Sequence, residues 1–252
     1  MLKTEKTTLK DFLIKFFFYG VLANLFASLL VGHYTHFSIG IVTFFGILAI
    51  LYLTWLKRKL RILLSGIKGY YLSFSLEENP KIWESDVTNS FWYLGISGAS
   101  IITFFERWLS RLPAGNTFSF KFLLMNPDNS KIMKRQLSFR YNLNPENLSP
   151  DQEKKIEQEI ATLSKQIIST VTRLKNTQPY REGRLEIRYH DKFIPYWMYI
   201  FDERKAYVGI LGKGEDGLES PVLIVHRDKT YSNVFNAFFH TWERIWEEAV
   251  SA

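Results

Sequence analysis

Cysteine is absent from the 252-residue chain. That excludes disulfides, thiolate zinc sites and a cysteine nucleophile. Charge is absent from residues 16–56, a run of 41 positions without Asp, Glu, Lys or Arg. A basic excess is absent from residues 69–252, which carry equal numbers of acidic and basic side chains. The formal net charge of +7 arises in two short stretches. One holds Lys3, Lys6, Lys10 and Lys15 against Glu5 and Asp11; the other holds Lys57, Arg58, Lys59, Arg61 and Lys68 with no acid. Generic nucleic-acid binding needs a basic footprint and is therefore not expected. No internal repeat or low-complexity linker is present.

The chain is rich in aromatic side chains, with Phe 21, Tyr 13 and Trp 7. They are enough to fill a sizeable core and to supply interfacial belts. The uncharged run is too long for one membrane span and suits two. The polar cluster at 32–38 divides it into spans over 12–31 and 39–55. A signal peptide would lack the second span, and a buried helical hairpin is the other alternative. Basic flanks on both sides predict cytoplasmic termini and a multi-pass protein of the inner membrane. Lys57, Arg58, Lys59 and Arg61 are the candidate membrane-surface residues, on a basic juxtamembrane helix over 57–68. Gly20, Ala23, Ala27 and Gly32 are spaced as a small-residue helix face. Residues 1–56, 57–68 and 69–252 then form a hairpin, a connecting helix and a cytoplasmic domain.

From residue 69 short apolar runs alternate with helical periods. Strands are expected over 91–96, 118–125, 184–189, 196–202, 205–211 and 221–225. Helices are expected over 101–112, 129–141, 151–175 and 231–249. The helix over 151–175 carries Ile156, Ile160, Leu163, Ile167, Val171 and Leu174 on one stripe, suited to packing on the domain's own sheet or to a coiled-coil seam. The alternation predicts a mixed α/β sheet flanked by helices.

The run from Ile187 to Gly209, with His190-x-Lys192, the turn Asp202-Glu203-Arg204 and a second strand, resembles the strand hairpin of the phospholipase-D superfamily. Upstream, Gly95-x-x-Gly98 between a strand and a helix, Phe122–Met125, and Asn126-Pro127 fit the same pattern. So does the terminal aromatic helix ending in Trp246. The resemblance covers about residues 89–250 and is closest to degenerate phospholipase-D-like modules. It implies a phospholipase-D-like fold with the catalytic motif lost. Counting back from Asp202, the family's histidine and lysine positions fall on Pro195 and Trp197, and neither attacks phosphorus. No catalytic residue is assigned, and the chain is expected not to be an enzyme. The alternative is a membrane-tethered phospholipase-D-type phosphodiester hydrolase.

Other chemistry is sparse. No cofactor or metal is expected: His33 and His36 supply only two ligands. Gly209–Gly214 lacks the Ser or Thr of a P-loop. The candidate ligand site combines the helix start at Ser97, Gly98 and Ser100 with Asn126, Tyr189 and His190 at strand ends. Arg140, Arg181 and Arg188 are candidate sources of charge. The architecture is similar to that of membrane effectors in bacterial cyclic-nucleotide antiviral defence. By that analogy the domain binds a cyclic nucleotide or other phosphate-bearing ligand and controls homo-oligomerisation or membrane disruption by the spans. The expected partners are that ligand, the lipid bilayer and further copies of the chain. A partner-recruiting scaffold is a third possibility.

Overall fold

The computed structural model describes residues 20, 44–57, 65–71, 87–113, 115–212, 220–228 and 232–252. The chain divides into two units, Met1–Arg61 and Ile62–Ala252.

In the first unit residues 44–57 are helical. Phe45, Ile47, Ile50, Leu51, Tyr52 and Leu53 are exposed along this run. Gly20 is helical as well and lies against Phe44: a Cβ added to Gly20 would sit 2.8 Å from the Phe44 ring. The expectation of a two-span hairpin is overturned. Among the described residues no helix is long and apolar enough to cross a membrane. The transmembrane assignment and the multi-pass inner-membrane location fall with it. The span expected over 12–31, apart from Gly20, lies outside the described residues, as do His33, His36, Arg58, Lys59 and Arg61.

The second unit is built on one mixed sheet of eight strands. In chain order its elements are β1 (Ile67–Tyr71), β2 (Ser90–Gly95), α1 (Ala99–Leu109), β3 (Ser119–Met125), α2 (Ser130–Arg140) and α3 (Pro150–Lys175). They continue with α4 (Gln178–Arg181), β4 (Leu185–His190), β5 (Tyr196–Phe201), β6 (Lys205–Ile210), β7 (Val222–His226), α5 (Val234–Glu248) and β8 (Val250–Ser251). The spatial order is β1-β7-β6-β5-β2-β3-β4-β8. Strands β2, β3 and β4 are parallel, and every other neighbouring pair is antiparallel.

Two apolar layers flank this sheet. On one face Phe91, Tyr93, Phe122 and Leu124 meet Ile101, Ile102, Phe105 and Trp108 of α1 and the Ile156–Leu174 stripe of α3. The stripe thus packs on the domain's own sheet. On the other face Trp92, Leu94, Leu123, Met198 and Val208 meet Phe235, Phe239, Trp242, Ile245 and Trp246 of α5. Period-2 alternation within β2 sends its odd and even residues to these opposite layers.

Local sequence sets the helix ends. Ser149 caps α3 in a reciprocal pair with Gln152, with Pro150 opening the first turn. Asn233 and Asn236 do the same for α5. Both arrangements satisfy backbone N–H groups that have no intrahelical acceptor. The six expected strands correspond to β2–β7 and the four long helices to α1, α2, α3 and α5. β1 and β8 are additions, and Ile67 and Lys68 belong to β1.

Candidate functional site at the strand ends

The parallel strands bring the ends of β2, β3 and β4 to one edge of the sheet. The Met125 N–H donates to the Ile96 carbonyl at 3.1 Å, and the Asn126 N–H to the His190 carbonyl at 3.0 Å. Ser97, Gly98, Asn126, Tyr189 and His190 therefore share this edge. Ser100 lies exposed in the first turn of α1.

The helix start is organised from below. Gly98 is the N-cap in a left-handed conformation, φ 66°, with no side-chain cap. Its N–H donates to the buried Tyr93 hydroxyl. Burial pushes the Tyr93 phenol well above its ordinary range, and the Gly98 hydrogen bond offsets only part of that. A Cβ at Gly95 would lie 2.0 Å from the Tyr93 hydroxyl oxygen; one at Gly98 would lie 3.0 Å from Thr170 and 3.2 Å from Leu124. The Gly95-x-x-Gly98 spacing thus accommodates a tyrosine two residues upstream on the same sheet face, and the Gly98 amide is not free for a ligand. Ser97 Oγ accepts from the Ala99 N–H at 3.3 Å. Ser100 is what the helix start leaves open to solvent.

His190 is the most constrained group at the edge. It is 2% exposed. Its Nδ1 accepts from the Lys192 N–H at 3.3 Å, which places the proton on Nε2. Nε2 is buried without a hydrogen-bond partner; the Gly95 carbonyl beside the ring favours its charged form without closing a well-formed bond. Burial depresses the imidazole to about 4 despite that carbonyl. The ring is therefore neutral at pH 7 and offers one unused donor.

The chain leaves His190 and crosses the same edge to begin β5 beside β2. Within this crossing, Asp191 Oδ1 accepts from the Asn129 side-chain amide at 2.8 Å and Lys192 pairs with Glu248 at 2.6 Å. The Phe193 ring lies 5.4 Å from Phe139, and Ile194 is buried. Asn126 Oδ1 accepts from the Asp128 N–H at 3.0 Å, closing a turn. Tyr189 is half-buried; burial chiefly, with the Asp128 carboxylate, raises its phenol.

The three candidate arginines are dispersed. Arg140 is exposed in the last turn of α2, its guanidinium 5.9 Å from the Tyr141 ring centre. Arg181 lies in α4, which precedes β4 and so stands at its opposite end. Arg188 projects to the α5 face, where it donates to the Trp246 carbonyl at 3.0 Å. Neither Pro195, exposed, nor Trp197, packed 4.6 Å from the Tyr199 ring, presents a nucleophile. Asp202 and Glu203 form the β5–β6 turn, both with positive φ. Among the described residues no group of His, Asp and Glu has the makings of a metal site. No protein-family model matches this chain, and no curated protein matches it.

The His190 environment predicts an acid-sensitive component of stability. In the unfolded chain the ring titrates near 6.5; in the fold it titrates at about 4. Between these values the unfolded state binds the extra proton, so stability falls as pH drops through that window and the loss is complete below it. The contribution is about 3 kcal/mol. Urea midpoints at pH 7, 5.5 and 4 should fall further for the wild type than for His190→Gln. Parallel declines in the two proteins would show that the ring is not buried neutral.

Proposed function

We propose that residues 62–252 form a non-catalytic, phospholipase-D-like module that binds a phosphate-bearing ligand at the ends of β2, β3 and β4. The observation that carries this reading is His190 Nε2–H, a buried donor that closes no well-formed hydrogen bond, at the edge where ligands of open α/β sheets bind. A buried polar group without a partner costs free energy unless a ligand or water completes it. The exposed first turn of α1 adds a favourable dipole for an anion.

The charge balance narrows the ligand. Asp128 and Asp191 stand at the same edge, and Lys192 is already paired to Glu248. Neutral N–H donors rather than ammonium groups would meet the phosphate. This favours a singly charged phosphodiester, such as a cyclic nucleotide, over a doubly charged phosphomonoester. The same ring supports the non-catalytic reading: Nδ1 is engaged by the Lys192 N–H and Nε2 carries the proton, so neither nitrogen is set to attack.

The full chain should gain thermal stability from a phosphodiester ligand. At a hundredfold excess over Kd the gain is about 2.7 kcal/mol, or about 5–10 °C for a domain of this size. A panel of cyclic mono-, di- and trinucleotides tests this by differential scanning fluorimetry, with His190→Phe expected to abolish the shift. Melting curves unmoved by the whole panel would count against the proposal. A phosphodiesterase turnover lost in folded His190→Ala would reverse it in favour of a hydrolase.

A further inference from the structure

A second group of unsatisfied donors lies on the opposite side of β4 and β3 from α1, under the last turns of α5. Lys121 interrupts the apolar run of β3, and strand register places it between Trp92 of β2 and Glu186 of β4. Its ammonium lies 4.3 Å from the ring centre of Trp92, 5.7 Å from Trp242 and 5.4 Å from Trp246. The indoles stack on one another, Trp92 to Trp242 at 4.4 Å and Trp242 to Trp246 at 5.0 Å. The Arg188 guanidinium lies 4.5 Å from the ring centre of Trp246.

Lys121 forms no ion pair and no hydrogen bond to any acceptor of the second unit's described residues. The nearest carboxylate in register, Glu186, is 3.7 Å from Arg188 instead and is half-exposed. The indole N–H groups of Trp92 and Trp242 are buried without acceptors. The polar inventory at this spot is therefore two half-buried cations and two orphaned N–H donors against one loosely held carboxylate. A cation over an indole face gains electrostatic attraction, but the ring faces accept no N–H···O hydrogen bond. Charge-assisted acceptors are what the cluster lacks.

We propose that Lys121 and Arg188 form an oxyanion subsite on the α5 face, taking a carboxylate or phosphate group that displaces Glu186 from Arg188. Lys121 supplies the ammonium, Arg188 the Nη2 group that Glu186 gives up, and the indole stack the floor that holds the lysine in place. This site is separate from the His190 edge and stands without it.

The three stacked tryptophans make the site its own reporter. Indole fluorescence of the full chain is titrated with inorganic phosphate and, separately, with acetate, at constant ionic strength with chloride as the control. The wild type should show a saturable change with at least one of the two anions, and which one responds identifies the group. Lys121→Met keeps the stem over the indoles and removes the charge; it should weaken the response at least tenfold. Arg188→Gln should weaken it as well, and Glu186→Gln should tighten it severalfold. His190→Phe should leave it unchanged, separating this site from the edge. Far-UV circular dichroism confirms that each variant is folded. A wild-type response matched by chloride, or an undiminished response in folded Lys121→Met, would overturn the subsite.

Discussion

Gly209→Val should destabilise the second unit by about 3 kcal/mol or more, a large share of a typical domain's stability. Gly209 pairs directly with Trp197 across the β5–β6 hairpin, and the indole lies flat over it. A Cβ at Gly209 would stand 2.0 Å from Trp197 Cε2 and 2.3 Å from Cζ2. The ring has nowhere cheap to go, since Trp197 packs on Tyr199, and Tyr199 on Tyr93 and Phe91. A glycine covered by a cross-strand aromatic recovers the packing that its missing side chain forfeits. Added bulk forces the ring into the layer beneath α1 and α3. Trp197→Ala removes the obstacle, so the double variant should recover much of the loss, with a coupling of about 2 kcal/mol between the positions. Urea denaturation of the four proteins measures this cycle. Strict additivity of the two substitutions would show that the ring does not depend on the glycine.

Asp202→Ala should cost about 2–3 kcal/mol, chiefly from hydrogen bonds to a charged acceptor. The carboxylate reaches from the β5–β6 turn to the residues that open β2. It accepts from the Thr88 N–H at 2.9 Å, the Thr88 hydroxyl at 2.6 Å, the Asn89 N–H at 2.7 Å and the Ser90 N–H at 2.8 Å. Burial alone would raise this carboxyl, but those donors outweigh it and hold the group below its ordinary value. A carboxylate with a lowered folded value stabilises above its unfolded value and loses that contribution as pH falls through the folded one. The sign is the same as for His190 and the origin differs: Asp202 is stabilised charged by its donors, whereas burial keeps His190 neutral. At neutral pH Asp202→Asn should recover part of the loss, because one oxygen still accepts. Equal midpoints for Asp202→Ala and wild type would remove the carboxylate as the clasp of β2.

The central sheet is legible in the sequence because β2–β7 carry unbroken apolar or alternating runs bounded by Gly, Pro, Asn and Asp. β1 is hidden: Ile67-Lys68-Gly69-Tyr70-Tyr71 follows a basic stretch of helical spacing, and only pairing with β7 makes it a strand. β8 has two residues directly after α5, too few for any period to register. Gly95 and Gly98 read as a cradle for an anion, since sequence alone does not show that Tyr93 fills it. The tyrosine's place two residues before Gly95, on the same face, is the available signal. His190 stands out as part of a His-x-Lys pair, but its burial and single free donor depend on the crossing from β4 to β5. Lys121 gives a fainter signal, one lysine as the exception in Phe-Lys-Phe-Leu-Leu-Met, and its three indole neighbours come from elements remote in sequence. The uncharged run at 16–56 reads as two spans on composition, but among the described residues no helix is long and apolar enough to cross a membrane.

The strand order also governs when the sheet can assemble. β1 is held by β7, with Tyr71 opposite Val222, and β2 by β5, with Phe91 opposite Phe201. These partners lie far apart along the chain, whereas the β5–β6 hairpin closes locally. Non-local pairing slows folding because loop entropy is lost before contacts repay it. On the ribosome, at about 5–20 residues per second, β1 would wait roughly 8–30 s for its partner to be synthesised. Through that interval its exposed edge and the apolar strands behind it are the nascent chain's most vulnerable surface, and the local β5–β6 hairpin is the natural seed on which the rest condenses.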